Sequence, residues 1–451
     1  MPGYESLLER LGLRLPEVHL PAAGLDLRKW AVVACDQYSS EREYWAKVES
    51  AVAGAPSTLN LIFPECYLED ADKAERVGRI QAAMRDYLAR GLVEPKGRGF
   101  VLVERFTPYE KKPRVGLMIA VDLEKYQYGK DSRSLIRPTE GTIVERLPPR
   151  MQIRRGAELE LPHIMLLVDD PGRSLVEPLY AARERLPKLY DFELMLGSGR
   201  VRGWKVADDA SLSAFAAALG KLADPAAFKA RYGSDDPLLF AVGDGNHSLA
   251  TAKAIWEETK KAIPAGDPRL ESHPARFALV ELVNIYDEGL PFHPIHRVLF
   301  GADEAEFLAG LASYQEHAFE RRRDEAQAFA EVDSPSAPAA SAHRIGLVSA
   351  KGAGLLSFPR PRAKLAAGTI QEYLDSYLKA RPKVAIDYIH GTESLVALAK
   401  KPGNLGLYLP PIDKASFFGT VIRDGVMPRK TFSMGEAPEK RFYIEARRIT
   451  E

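Results

Sequence analysis

From Leu238 to Lys253 the chain reads LLFAVGDGNHSLATAK, a short apolar strand that passes through one tight turn straight into a helix. Gly243 and Gly245 permit backbone geometry closed to other residues. The helix opening near His247 presents unpaired N–H groups with positive dipole character, and such a turn suits an anion, typically phosphate. Around that anion Asp244 would supply a base or metal ligand, Asn246 an amide, His247 an imidazole and Ser248 a hydroxyl. The same residues also suit a plain strand-to-helix connection with Asn246 or Ser248 as N-cap. Both readings stay open on the local pattern.

Around this junction, strand and helix signals alternate. Apolar runs predict strands at Trp30 to Cys35, Gly99 to Glu104, Val115 to Leu123, His163 to Val168, Val201 to Val206 and Phe277 to Ile285. Capped periodic stretches predict helices from Ser40 toward Gly54, with Glu43 completing a capping box, then over Asp70 to Arg90, Val176 to Leu186 and Ser211 to Ala223. Tyr126 to Leu161 has no clean period and is dense in Arg and Glu, as binding loops often are. Ser334 to Ser341 is a Pro/Ser/Ala linker. After it come a hairpin about Lys351-Gly-Ala-Gly354, a helix over Thr369 to Ala380, and strands near Lys383 to Ile389 and Leu405 to Leu409. The expected architecture is α/β to α+β, mixed sheets with flanking helices. A main α/β domain over 1–300 carries the candidate site, and a smaller α+β domain covers 301–451.

Composition narrows the function classes. The 451 residues carry 62 Lys plus Arg against 62 Asp plus Glu, so no global basic field exists for duplex nucleic acid or an anionic membrane. No apolar run approaches the roughly 20 residues needed to span a bilayer, and Met1 to Glu5 carries an acid where a secretory signal carries bases. Cys35 and Cys66 lie far apart in apolar contexts, the usage of a reducing cytoplasm. These features lead us to expect a cytoplasmic protein.

A second cluster, Arg137-Pro-Thr-Glu-Gly-Thr-Ile-Val-Glu-Arg146, extends to Arg150, Arg154 and Arg155. Glu140 and Glu145 alternate there with guanidiniums that can hold phosphate or carboxylate bidentately, and a base beside such a clamp is what hydroxyl phosphorylation requires. A solvated loop of surface ion pairs accounts for the same residues. His293-Pro-Ile-His296-Arg297 has no Cys, Asp or Glu partner at metal-ligand spacing, so no metal ligand is assigned, while His296 and Arg297 stay as phosphate-binding candidates. Asp36-Gln-Tyr-Ser39 follows a buried run, where open α/β sheets place ligands. Pro428-Arg-Lys430 is a basic turn. There is no Gly-x4-Gly-Lys-Ser/Thr loop, and Gly197-Ser-Gly199 precedes a strand rather than a helix, which is the wrong context for a dinucleotide fingerprint.

Trp30 to Ser39, the Arg137 to Arg150 loop, the Gly-Asp-Gly-Asn-His turn, His296-Arg297, Asp387-Tyr-Ile-His-Gly391 and Gly425-Val-Met-Pro-Arg-Lys430 follow one another as in the prokaryotic family called domain of unknown function 1015, which the chain resembles over nearly its whole length. That family's turn usually reads Asp-Gly-His-His-Arg, and it is similar to the nucleotide-site turn of the ParB and sulfiredoxin-like superfamily, which includes free serine kinases. Asp244 and Gly245 match its first two positions and His247 the second histidine. Asn246 replaces the first histidine and Ser248 the arginine, so an arginine of the 137–155 loop would have to supply that charge.

The resemblance implies phosphoryl transfer between a nucleotide, ATP or ADP with Mg2+, and a small hydroxy amino acid. In that scheme the Gly243 to Ser248 turn holds the phosphates and Asp244 or His247 positions the transferred group. Glu140 or Glu145 activates the hydroxyl, and Arg137 clamps a phosphate or carboxylate. Hydrolysis of phosphoserine-like esters at the same turn is the reverse or water-directed version. The alternative is a non-catalytic nucleotide-binding switch or sensor, as in ParB, acting as a homo-oligomer and without duplex DNA.

Overall fold

The computed structural model describes residues 3–129, 132–334, 342–428 and 430–451, which form two compact units, 3–290 with 435–451, and 291–434. The predicted division at 300/301 differs in two ways. The second unit begins at Pro291, because the strand after His293 pairs within that unit, and Gly435–Glu451 returns to the first unit. Residues 335–341 of the predicted linker and Arg429 of the basic turn lie outside the described residues.

The first unit is built on a nine-stranded mixed sheet. Its strands are β1 (Leu13–Arg14), β2 (Phe100–Phe106), β3 (Arg114–Asp122), β4 (Ile136–Pro138), β5 (Met165–Val168), β6 (Lys188–Glu193), β7 (Arg200–Val206), β8 (Phe240–Asp244) and β9 (Phe277–Asn284), in the order β4-β8-β5-β9-β3-β2-β7-β6 with β1 against β3. Every residue of β3 and β9 is buried, which is why both read as continuous apolar runs. Alternate side chains feed two cores. Val101, Val103, Met118 and Leu279 join Trp30 and Trp45 on one face, and Phe100, Leu102, Leu117 and Val280 join Trp204 and Trp256 on the other.

The predicted strand at Trp30 to Cys35 is not one. Trp30 to Ala34 are buried, but their backbone groups pair singly: Tyr443 N–H donates to Val32 O (2.8 Å) and Ala34 N–H to Arg441 O (2.9 Å). The predicted helix after Ser40 spans Arg42–Val52 with Glu41 at its N-cap and no side-chain cap, so no capping box forms. Elements not foreseen in the 126–161 stretch include β4, helix α1 (Leu147–Arg154) and the short strand Leu159–Glu160.

The second unit carries a six-stranded sheet made of β10 (His296–Phe300), β11 (Ala318–Arg321), β12 (His343–Ser349), β13 (Gly352–Phe358), β14 (Ala385–Ile389) and β15 (Asn404–Tyr408), in the order β11-β13-β12-β15-β10-β14. The β12–β13 hairpin turns about Lys351, as predicted. Ile370, Tyr373, Leu374 and Tyr377 of the helix Ala366–Ala380 are buried in the core beside this sheet.

Candidate functional site

β4 runs parallel to β8, with Phe240 opposite Ile136 and Val242 opposite Pro138, so both chains leave the sheet on the same side. Glu140 and Asp244 therefore stand just past, or at, the carboxyl ends of neighbouring strands, the usual ligand edge of such a sheet. Thr139 pins the junction by donating from Oγ1 to Val242 O at 2.6 Å. Gly245 has φ +77°, and a Cβ there would lie 3.0 Å from Ile164 Cα, so conformation and space both demand glycine.

Helix α2 (Asn246–Ala262) starts at once, with Gly245 as N-cap and no side-chain cap. The N-cap role that sequence offered to Asn246 or Ser248 is not filled, because both side chains lie inside the helix and point elsewhere. Asn246 Oδ1 is buried with no hydrogen-bond partner. Ser248 Oγ is 2.8 Å from His163 Nε2.

Charge at the turn is balanced locally. Asp244 Oδ2 accepts from Lys440 Nζ at 3.0 Å, and Oδ1 accepts the Gly245 N–H at 3.0 Å. Burial pushes the Asp244 carboxyl up, but the Lys440 ammonium, helped by His163 and the Gly245 N–H, outweighs it and holds the group below its ordinary range. His247 Nε2 accepts the Ile143 N–H at 3.4 Å, tying the helix to the 139–147 loop. Burial, and then the guanidiniums of Arg150 and Arg146, push the His247 imidazole down to about 4. The ring is therefore neutral at pH 7. We expect His247 ring nitrogen shifts to titrate near pH 4 rather than at the ordinary value of about 6.5. Because the unfolded ring takes up its proton first, this contribution to stability is complete above about pH 6.5 and is lost as the pH falls toward the folded value.

Beside the turn His163 Nδ1 lies 2.7 Å from Tyr443 Oη, which accepts the Cys35 N–H at 3.1 Å. Asp36 Oδ2 is 3.8 Å from His163 Nε2. His163, Ser248 and Tyr443 line a cavity of about 150 Å3 together with the charged Glu65, Arg150, Arg154 and Glu160 and apolar walls that include Met84 and Leu279.

The other candidates are spread more widely. Arg137 is buried and donates to the backbone oxygens of Ser134 (2.9 Å), Asp236 (2.9 Å) and Pro237 (3.3 Å), so its guanidinium ties loops together and is not presented as a clamp. Arg150 is held bidentately by Glu65 at 2.9 and 2.6 Å, leaving it near the turn but already paired. Glu140 is half-buried beside the turn, and Glu145 is exposed. His296 and Arg297 belong to the second unit: His296 Nδ1 accepts the Leu409 N–H at 3.1 Å and stacks on Tyr408, while the buried Arg297 lies over the Tyr388 ring. They serve that unit's core. Among the described residues no group of three or more His, Cys, Asp or Glu is placed to hold a metal ion, so none forms a cage for the expected Mg2+.

Sequence reasoning missed His163, Lys440, Tyr443 and Glu65. His163 heads a buried strand, and Lys440 and Tyr443 lie in a tail whose return to the first unit has no local signal.

The family described as "Protein of unknown function (DUF1015)" matches residues 19–377. No curated protein matches the chain. Similar solved structures include a conserved hypothetical protein from Pyrococcus furiosus (11% identity, TM-score 0.37, 74% of this chain and 95% of that chain). A free serine kinase variant in complex with ADP is 10% identical at a TM-score of 0.38, covering 74% and 92%. SbnI with a C-terminal truncation, from Staphylococcus aureus, is 10% identical at 0.34, covering 72% and 82%. Among the described residues no helix is long and apolar enough to cross a membrane.

Proposed function

The chain belongs to the DUF1015 family, and from that premise we propose that its first unit transfers a phosphoryl group between a nucleotide and a small hydroxy compound, a hydroxy amino acid being the first acceptor to try. The observation that carries this reading is the uncapped amino end of α2, with the Lys440 ammonium on Asp244 and the guanidiniums of Arg150 and Arg146 acting on His247. An anion seated there gains from the helix dipole and from fixed cations. The resemblance of the Asp-Gly-Asn-His turn to that of free serine kinases supports the choice of nucleotide.

In this reading Asp244 stays ionised and holds Lys440 toward the phosphate. Lys440 offsets charge as it spreads over the transferring group. The neutral His247 fixes the 139–147 loop through Ile143, and with it Glu140, which takes the proton of the acceptor hydroxyl. Arg146 and Arg150 add field and need not touch the ligand.

Phosphorus NMR on the full chain with Mg2+, ATP or ADP and L-serine, run beside O-phosphoserine alone, tests this. New phosphoserine, or its loss to free phosphate, is expected, with a drop of about 10²-fold or more in Asp244→Ala and in Glu140→Ala. If both variants leave transfer intact, the reading fails. Nucleotide binding without turnover in any mixture, accompanied by a change in sedimentation, would instead favour the switch.

A further inference from the structure

We propose that Ser248 is a nucleophile activated by His163, so that transfer at this site passes through a covalent seryl intermediate. The Tyr443 phenol has one proton and two lone pairs. One lone pair takes the Cys35 N–H at 3.1 Å. His163 Nδ1 lies 2.7 Å from the same oxygen, and we place the ring proton on Nδ1, donated to the second lone pair. This tautomer leaves His163 Nε2 as a bare acceptor, 2.8 Å from Ser248 Oγ. A hydroxyl, a base within hydrogen-bond reach and a third group orienting that base are the parts of an activated nucleophile.

Three surroundings reinforce the assignment. Asp36 Oδ2, 3.8 Å from the same Nε2, offsets the imidazolium that forms when the base takes a proton. Ser248 sits in the first turn of α2, so negative charge gathering at its oxygen faces the positive end of that helix. Ser248 and His163 both line the 150 Å3 cavity, which gives a reagent access to Oγ, while Tyr443 is 2% exposed and holds the base still.

In the first half-reaction Ser248 Oγ bonds to phosphorus while the bond to the donor's leaving oxygen breaks. That oxygen keeps the electron pair, and the seryl proton passes to His163 Nε2. In the second, the acceptor hydroxyl or a water bonds to phosphorus and gives its proton to Glu140. The Oγ–phosphorus bond breaks with its pair on Oγ, which recovers the proton from His163. This rests on the reading above for the identity of the group transferred and for Glu140 as the base of the second half-reaction.

The test is reaction of the full chain with a short-chain alkyl fluorophosphonate, followed by peptide mapping. Fluoride leaves with its bonding pair as Oγ bonds to phosphorus, so an adduct on Ser248 is expected, forming about 10²-fold more slowly or worse in His163→Asn. No adduct on Ser248 of the folded protein, or an unchanged rate in His163→Asn, overturns the proposal. Should His163→Asn fail to fold, Tyr443→Phe removes only the orienting oxygen: a slower rate supports the relay and an unchanged rate overturns it. The probe contains no nucleotide. Labelling of Ser248 without phosphoryl turnover therefore sinks the proposed substrates and keeps the nucleophile, and turnover without labelling does the reverse.

Discussion

Arg441→Met is expected to remove about 3–5 kcal/mol from the stability of the first unit, read from the shift of its urea unfolding transition. Arg441 is buried and joins Glu281 in β9, at 2.7 Å, to Glu445, while its Nε donates to Pro162 O. Both carboxylates are fully buried, and Tyr190 donates to Glu445. Losing one cation from such a group strands anions that water cannot reach, and this outweighs the apolar gain of methionine. Arg114, 3.6 Å from Glu281, covers part of the deficit on that side but none at Glu445. Adding Glu445→Gln to Arg441→Met should therefore recover part of the loss, and a second substitution that deepens it would refute this account. Burial raises the Glu281 carboxyl, but Arg114, Arg441 and Arg105 more than reverse that and hold it low. Its contribution is thus present above the ordinary glutamate range and disappears as the pH falls through the lower folded value.

Gly245→Ala should cost about 2–5 kcal/mol and abolish ligand binding at the turn. The left-handed conformation at φ +77° costs a non-glycine residue about 1–2 kcal/mol, and the new methyl meets Ile164 at 3.0 Å, an overpacking worth about 1–3 kcal/mol. Relief requires the turn to move, and that carries Asn246, His247 and Ser248 away from Lys440 and His163. Isothermal titration with ADP beside thermal unfolding separates the two effects, and wild-type affinity in a destabilised variant would contradict the geometric argument.

How much of this was legible follows from the range of each interaction. The continuous apolar runs of β3 and β9 announce strands covered on both faces, and the structure has them. The run at Trp30 to Ala34 is equally apolar, yet it bonds singly to the tail, since hydrophobicity reports burial and not which backbone pairs with which. Helix α1 escaped notice because Pro148, Pro149 and two arginines blur its period. The strand at Lys188–Glu193 sits at the edge of its sheet, with charged residues alternating along it. The turn itself is local chemistry, five consecutive residues from Asp244 to Ser248, and it was read directly. Its partners were not, because a count of arginines says nothing of whom they bind. Arg137 is taken by backbone oxygens and Arg150 by Glu65, while the cation at Asp244 comes from Lys440.

The return of residues 435–451 to the first unit sets the order in which this molecule can be finished on the ribosome. A nascent chain of 434 residues already contains the whole of the second unit and all nine strands of the large sheet. It still lacks Lys440, Arg441, Tyr443 and Glu445, leaving Glu281 without one of its buried cations and His163 without its phenol. A product released at residue 434 would thus hold every residue of the second unit while its first unit lacks the buried partners that 435–451 supply.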